Sequence, residues 1–368
     1  MIDEIISKNE LTHQDLVEIL KIQDKNELEK LRLYAYQVMQ KNIGDLVYVR
    51  GLIEFSNYCI NDCYYCGIRK SNSKVKRYTL NREEILKSAL WAARNGFGSI
   101  VLQSGERNDE GFVSYVEDII YEIKEKTKSD ILPEGVGITV CIGELSYNQY
   151  QRIFKAGGHR YLLRIETSNP VLFRKIHPYN QKMETRIECL KMLNEIGFHL
   201  GTGVMIGLPE QTYDDLADDI EFFKQYDCDM IGMGPYLVHL DTPMAKWEDY
   251  YYKNKENIYL LSLKMIAATR IYLKDVNIAS TTALETIYPN GRQQGLLYGA
   301  NVIMPSMTPK EFSKEYLLYN GKPILENNIS DYLQYIKSQV NSINREIALN
   351  SWGDSKHYLK KKEARVIN

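Results

Sequence analysis

The chain has 368 residues, of which 44% are hydrophobic and 26% are charged, a composition typical of a globular protein that buries a sizeable core. Its formal net charge of -2 excludes the broad basic field with which proteins hold nucleic acids or anionic membranes. The acidic first residues do not resemble a secretory signal, and no run approaches the roughly 18 apolar residues of a membrane span. We therefore expect a cytoplasmic protein, in which clustered cysteines are more often metal ligands than disulfides.

Helices are predicted first along the chain, over residues 1–47, with Thr12 and Asp24 as candidate capping residues. From residue 48 onward, short apolar runs predict strands that are buried on both faces. The predicted strands cover residues 48–55, 98–103, 135–143, 161–166, 200–207, 229–234, 277–280 and 300–305. Helical periodicity fills most of the intervals, so the strand–helix unit recurs along the chain.

This recurrence predicts an α/β fold, a (β/α)8 TIM-type barrel over residues 48–310. Helical extensions are expected over 1–47 and 311–368, since residues 329–347 have helical periodicity. A doubly wound open sheet is the alternative architecture. In barrels of this type the chemistry lies at the carboxyl ends of the strands. Polar residues follow the predicted strands at Ser56–Cys66, Gln103–Glu106, Thr139–Glu144, Arg164, Glu166 and Ser280–Ala283.

Three of the six cysteines, Cys59, Cys63 and Cys66, form the pattern C-x3-C-x2-C in the loop after the first strand. A structural zinc ion takes four protein ligands, so zinc would need a distant fourth residue here. A [4Fe-4S] cluster normally takes one thiolate per iron, and three thiolates leave one iron open. Because an open coordination position is typical of catalytic metal sites, the loop predicts a catalytic iron–sulfur cluster.

With Tyr65 before its last cysteine, the loop resembles the signature of the radical S-adenosylmethionine (SAM) superfamily. The resemblance implies that the open iron binds the amino and carboxylate groups of SAM. One electron from the cluster then cleaves SAM into methionine and a 5′-deoxyadenosyl radical. The segment QSGE resembles the superfamily's contact with the SAM amino group: Gln103, Ser104, Gly105 and Glu106.

The resemblance also implies roles for two charged residues further along. Glu166 is expected to hold the ribose hydroxyls of SAM, and Arg186 is expected to pair with the methionine carboxylate. A solvated helix residue is the alternative for Arg186.

Within the superfamily, residues 50–310 resemble the HydE family of [FeFe]-hydrogenase maturases. The resemblance is carried by longer stretches: IEFSNYCINDCYYCGIRK, RYLLRIETSNPVLFRKIHP, GVMIGLPEQTYDDLADDI, DMIGMGPYLVHLDTP, IASTTALETIYPNGR and GANVIMPSMTP. It implies a cysteine-bound iron carbonyl cyanide as substrate, whose cysteine sulfur is attacked by the adenosyl radical. It also implies a low-potential electron donor and contact with the maturases HydG, which makes the substrate, and HydF, which takes the product.

Candidate substrate residues follow from the same resemblance. Family positions that line the substrate cavity match Thr139, Thr281, Thr282 and Ala283. Arg160 and Arg164 flank the fourth predicted strand's YLL and are expected near its carboxyl-terminal half, where they would meet cyanide or carboxylate groups. A barrel-lining ion pair is the alternative for each arginine.

Two departures from the family pattern bear on the substrate. Ile165 stands where a histidine is expected, and Cys141 stands where a serine is expected. Both are predicted beside the cavity, so a changed substrate is the alternative to the family's own, although a free cysteine is commonly a small buried hydrophobe. No cysteine follows Cys228, so no second cluster is expected.

Three other functions compete. A biotin synthase would need several more cysteines on strands for its extra cluster, and only Cys141 qualifies. A mutase like methylornithine synthase needs one cluster and paired acids for a diamine, for which Glu144 and Glu285 are candidates. An iron–sulfur carrier or zinc-stabilised scaffold would not bind SAM, and the segment QSGE together with Glu166 argues against it.

Overall fold

The computed structural model describes residues 2–323 and 329–367. Three helices precede the first strand: α1 (Ile2–Ile6), α2 (His13–Lys21) and α3 (Lys25–Asn42). The predicted capping residues begin two of them. The Thr12 side chain accepts a hydrogen bond from the Asp15 backbone, and Asp24 accepts from Asn26 and Glu27.

Eleven strands follow within the described residues, and eight of them form the wall of a barrel. The strands are β1 (Leu46–Ser56), β2 (Ser99–Ser104), β3 (Gly137–Cys141), β4 (Arg160–Leu162), β5 (His199–Thr202), β6 (Met205–Ile206), β7 (Met230–Ile231), β8 (Gly234–Pro235), β9 (Asn277–Ile278), β10 (Val302–Ile303) and β11 (Glu346–Ala348). The parallel order is β10-β1-β2-β3-β4-β5-β7-β9, and a parallel bridge between Ala279 and Val302 joins its two ends. All eight predicted strands are present, and the predicted barrel is confirmed.

Helices surround the sheet. They are α4 (Arg82–Arg94), α5 (Glu110–Lys126), α6 (Tyr147–Lys155), α7 (Pro170–Ile176), α8 (Met183–Ile196), α9 (Tyr213–Gln225), α10 (Glu248–Leu273), α11 (Thr282–Ile287), α12 (Gly291–Leu297), α13 (Lys310–Ser313), α14 (Ile329–Asn341) and α15 (Lys356–Ile367). Reciprocal capping begins α4 at Asn81, α6 at Ser146 and α9 at Thr212. None of the described helices is long and apolar enough to cross a membrane.

The apolar runs of the strands lie between these helices and the barrel interior. Ile100, Ile138, Val140 and Ile231 are fully buried, which is why the runs lack the alternation of a half-exposed strand.

The carboxyl-terminal segment lies across the amino-terminal end of the barrel. Residues 351–354 contact residues at or just before the start of five strands: Gly98, Gly137, Arg160, His199 and Asn277. The segment arrives there because β11 pairs with the start of β1. The helix predicted over 329–347 is therefore too long, since α14 ends at Asn341 and the chain turns into β11.

Candidate functional site

The cysteine loop follows β1 at the carboxyl end of the barrel and is fixed by polar contacts across its base. The Asn57 side chain donates to the backbone oxygens of Lys76 and Glu315, at 2.9 and 2.8 Å. Arg77 donates to the backbone oxygens of Asn57 and Ile68, at 2.6 and 2.7 Å. These contacts hold the loop in one shape and bring its three cysteines to the mouth of the barrel.

The three thiols form no disulfide. Among the described residues, the one group of three potential ligands with atoms gathered within 4.8 Å is His13, Asp218 and Glu221, on the outer surface. The three cysteine sulfurs do not form such a group, so their atoms do not all lie within 4.8 Å of one another. Burial raises the pKa of Cys66 to about 12, so iron binding would have to displace the thiol proton.

The segment QSGE lies directly beside the cysteine loop, at the end of β2. The Ile60 backbone N–H donates to the Glu106 backbone oxygen at 2.9 Å, and Gly105 donates to the Ser56 oxygen at 2.9 Å. A side chain at position 105 would collide with the Tyr58 backbone, so glycine is required for this close approach. Ser104 lies at the same turn and Gln103 contacts Tyr316.

Arg186 joins two carboxylates from neighbouring strand ends. Its guanidinium donates to Glu106 at 2.9 Å and to Glu144 at 2.8 Å, and also to the Arg164 backbone oxygen at 2.9 Å. Burial alone would lower the pKa of Arg186, but the two carboxylates outweigh it and raise that pKa. Arg186 is only 6% exposed, so the alternative of a solvated helix residue is wrong.

Glu166 continues this chain of charges across the barrel mouth. Arg164 donates to its carboxylate at 2.9–3.1 Å, and Glu166 itself is held at a φ of 67°, which is strained for a residue other than glycine. Such strain is typical of functional positions. Glu106, Glu144, Arg186, Arg164 and Glu166 thus form one connected network, which we call the charge network.

Gly143 also helps to position Glu106. Its φ is 97°, and a Cβ there would overlap the Glu106 side chain. Sequence reasoning missed Gly143, although a glycine directly before an acidic residue at a strand end was a usable signal.

Arg160 lies away from this network. It is the first residue of β4, so its expected position in the carboxyl-terminal half of that strand is wrong. It pairs with Asp354 at 2.6 Å, and its other donors reach Thr139, the Trp352 backbone and Ser99. The structure shows the alternative, a barrel-lining ion pair, and a contact of Arg160 with substrate stays a prediction.

The remaining expected substrate residues lie on two sides of the barrel. Thr139 is buried in β3 beside Arg160, while Thr281, Thr282 and Ala283 begin α11. The Thr281 hydroxyl oxygen is buried and has no hydrogen-bond partner in the described part of the chain. A buried hydroxyl without a partner is a position where a ligand gains a hydrogen bond.

The two departures from the family pattern differ in location. Ile165 is fully buried within the main hydrophobic core, whereas Cys141 lies within electrostatic range of Arg164 and Arg186. Burial raises the pKa of Cys141 to about 12, so this thiol stays protonated.

Comparison with known proteins identifies the family. The sequence model that describes the radical SAM superfamily matches residues 53–223. The [FeFe] hydrogenase maturase subunit HydE of Thermotoga maritima is 44% identical to the chain over 320 residues, which are 87% of each protein. The chain belongs to the HydE family of radical SAM proteins. The predicted superfamily and family are confirmed.

More distant relatives share the barrel. The 3-methylornithine synthase of Methanosarcina acetivorans is 26% identical over 85% of this chain and 84% of its own length. The crystal structure of methylornithine synthase superposes with a TM-score of 0.79 at 22% identity, over 95% of this chain and 97% of that one. The maturase HydG superposes with a TM-score of 0.74 at 18% identity, over 92% of this chain and 74% of that chain. These two structures support the fold alone.

Family membership makes the chain a radical SAM enzyme of hydrogenase maturation, and the family implies a [4Fe-4S] cluster and SAM. The residues present fit that requirement, because three partly buried thiols stand next to a carboxylate–guanidinium network at the open end of the barrel.

Proposed function

We propose that this chain is a HydE maturase whose substrate is a cysteine-bound iron carbonyl cyanide. The observation that carries the proposal is the 44% identity to a HydE over 87% of both chains. When bound, the cluster would supply the electron that converts SAM into methionine and the 5′-deoxyadenosyl radical. Cys59, Cys63 and Cys66 would hold it, and Tyr65 would pack behind the loop, 5.6 Å from the His177 ring.

The charge network would bind SAM. Glu106 would accept a hydrogen bond from its ammonium group, at the turn formed by Gln103, Ser104 and Gly105. Glu166 would accept from the ribose hydroxyls. Arg186 already bridges Glu106 and Glu144, so it would turn part of its guanidinium toward the methionine carboxylate.

The substrate would lie deeper in the barrel. Thr281 has a buried hydroxyl free to bind it, with Thr282 and Ala283 beside it and Thr139 across the interior. Arg164 would supply positive charge to cyanide or carboxylate, although Glu166 already holds two of its donors. No second cluster is part of the proposal.

The resemblance to the HydE family implies the partners. A low-potential donor would deliver the electron, HydG would supply the iron complex, and HydF would receive the product.

The mutase alternative finds little support in the acids proposed for it. Glu144 pairs with Arg186 at 2.8 Å, and Glu285 pairs with Arg292 at 2.7 Å. Glu285 has a full counter-charge in Arg292, and Glu144 shares the single charge of Arg186 with Glu106, so these two acids do not form the free pair that the two ammonium groups of a diamine would meet.

Electron paramagnetic resonance (EPR) on anaerobically reconstituted, dithionite-reduced protein tests the proposal. A [4Fe-4S] signal that changes on addition of SAM is expected. Turnover with the iron–cysteine complex, and none with lysine, would then separate the maturase from the mutase. A signal that does not change with SAM would contradict SAM binding at the cluster. Turnover of lysine would show that lysine, and not the iron complex, is the substrate.

A further inference from the structure

Gln181 lies between α7 and α8, and its side chain reaches the middle cysteine of the cysteine loop. The Cys63 thiol donates to the Gln181 Oε1 atom at an S···O distance of 3.3 Å. Gln181 is 5% exposed, and its backbone N–H donates to the Pro178 oxygen at 3.0 Å, which holds the backbone from which the side chain extends. Among the described residues, no other side-chain amide forms a hydrogen bond with one of the three thiols.

The other end of the same amide is left without a partner. The Nε2 atom of Gln181 is buried, and nothing in the described residues accepts a hydrogen bond from it. A buried N–H without an acceptor destabilises the folded protein, so such groups are rare unless something else uses them.

Iron binding changes what Cys63 offers to this amide. Metal ligation requires the thiolate, which has no proton to donate. Oε1 would then face an anionic sulfur with no hydrogen between them. A half-turn of the terminal amide exchanges Oε1 and Nε2, so that an N–H group points at the sulfur.

We propose that Gln181 donates an amide hydrogen bond to the Cys63 thiolate of the cluster-loaded enzyme and thereby raises the cluster's reduction potential. The proposal rests on the proposed cluster. Reduction adds negative charge that spreads onto the ligand sulfurs, so a donor to one of them stabilises the reduced form more than the oxidised form. Gln181 is a positioning residue in this respect, since it acts on the reacting centre through Cys63.

A second thiol already receives a comparable donor from the backbone. The Asn61 N–H lies 3.4 Å from the Cys59 sulfur. The backbone donor of Asn61 can be removed only by proline, which would also constrain the loop, whereas the Gln181 amide can be removed without changing the backbone. Substitution of Gln181 therefore tests directly how a hydrogen-bond donor affects the reduction potential of the cluster.

The test is an EPR-monitored redox titration of the anaerobically reconstituted holoenzyme, with iron content measured on each sample. Gln181→Met keeps the length of the side chain and removes the donor. At a fixed potential, the ratio of reduced to oxidised cluster should fall about tenfold, which for one electron corresponds to a midpoint lower by ~59 mV. The control is Asn180→Met on the neighbouring exposed residue, which should leave the midpoint unchanged.

Gln181→Glu is the second variant, because its carboxyl donates only when protonated. Its midpoint should fall as the pH is raised through the titration of that carboxyl, more steeply than in the wild type. A wild-type midpoint in Gln181→Met with full iron content overturns the proposal. Loss of iron from both Gln181 variants but not from the control also overturns it, because Gln181 would then only support the fold. Absence of a cluster signal in the wild type would instead refute the proposed function.

Discussion

We predict that loss of the Asp354 carboxylate, which lies outside the charge network, strongly destabilises the fold. It is the carboxylate partner of Arg160, whose side chain is 0% exposed, at 2.6 Å. It also accepts from His159 and His199, each at 3.2 Å. Although burial raises its pKa, the Arg160 charge and the two histidines hold that pKa well below its ordinary value.

Asp354→Asn leaves the Arg160 guanidinium buried without a counter-charge. Removing one partner of a buried ion pair typically costs about 3–5 kcal/mol, a large part of the roughly 5–15 kcal/mol that holds a domain together. Urea unfolding measures the loss, and Trp352, whose ring centroid lies 4.5 Å from that of His159, reports on this end of the barrel.

Two comparisons make the measurement decisive. Asp118→Asn, on the exposed face of α5, makes the same chemical change and should alter the free energy of unfolding by less than about 0.5 kcal/mol. The double variant Arg160→Met, Asp354→Asn should lose less than the sum of the two single variants. An Asp354→Asn protein as stable as the Asp118→Asn control would refute the buried pair.

Three further predictions concern the thiols, the histidines and Gly143. Cys63→Ala should abolish SAM cleavage, whereas Cys228→Ala, which replaces a buried thiol outside the loop, should leave it near wild type in a 5′-deoxyadenosine assay. Burial lowers the pKa of His159 and His177 from the ordinary histidine value of 6.5 to about 3, so both stay neutral in the folded protein, whereas in the unfolded chain they take up protons below pH 6.5. The free energy of unfolding should therefore fall between pH 6.5 and 3, by at most ~1.4 kcal/mol per pH unit for each histidine, and equal values at pH 7 and 5 would contradict this. Gly143→Ala should displace Glu106 and weaken SAM binding about tenfold or more, roughly 1.4 kcal/mol, in a calorimetric titration, and unchanged affinity would remove Gly143 from the site.

Local patterns explain which parts of this structure were predictable. Continuous apolar runs such as residues 98–103 become strands because both faces are buried, and C-x3-C-x2-C is a local signature. The charge network was predicted only in pieces, since Glu106, Glu144 and Arg186 come from three separate loops and helices.

Long-range pairing explains what was missed. Nothing near Arg160 in the sequence indicates Asp354, which lies 194 residues further on. Helical periodicity over 329–347 likewise did not indicate that β1 would draw Glu346–Ala348 into the sheet. Gln181 and Cys63 lie 118 residues apart in the sequence, and no sequence signature indicates the hydrogen bond between them.

The segment at residues 351–354 also restricts the routes by which ligands would reach the barrel interior. Because it lies across one end of the barrel, the mouth beside the cysteine loop would be the doorway for both proposed ligands, SAM and the iron complex. SAM, bound in that doorway, would stand between the interior and solvent. Ligands would then pass in single file: the substrate enters before SAM, and the product leaves after the fragments of SAM. An enzyme with one doorway is slowed by an excess of the ligand that binds second, so surplus SAM would delay the entry of substrate.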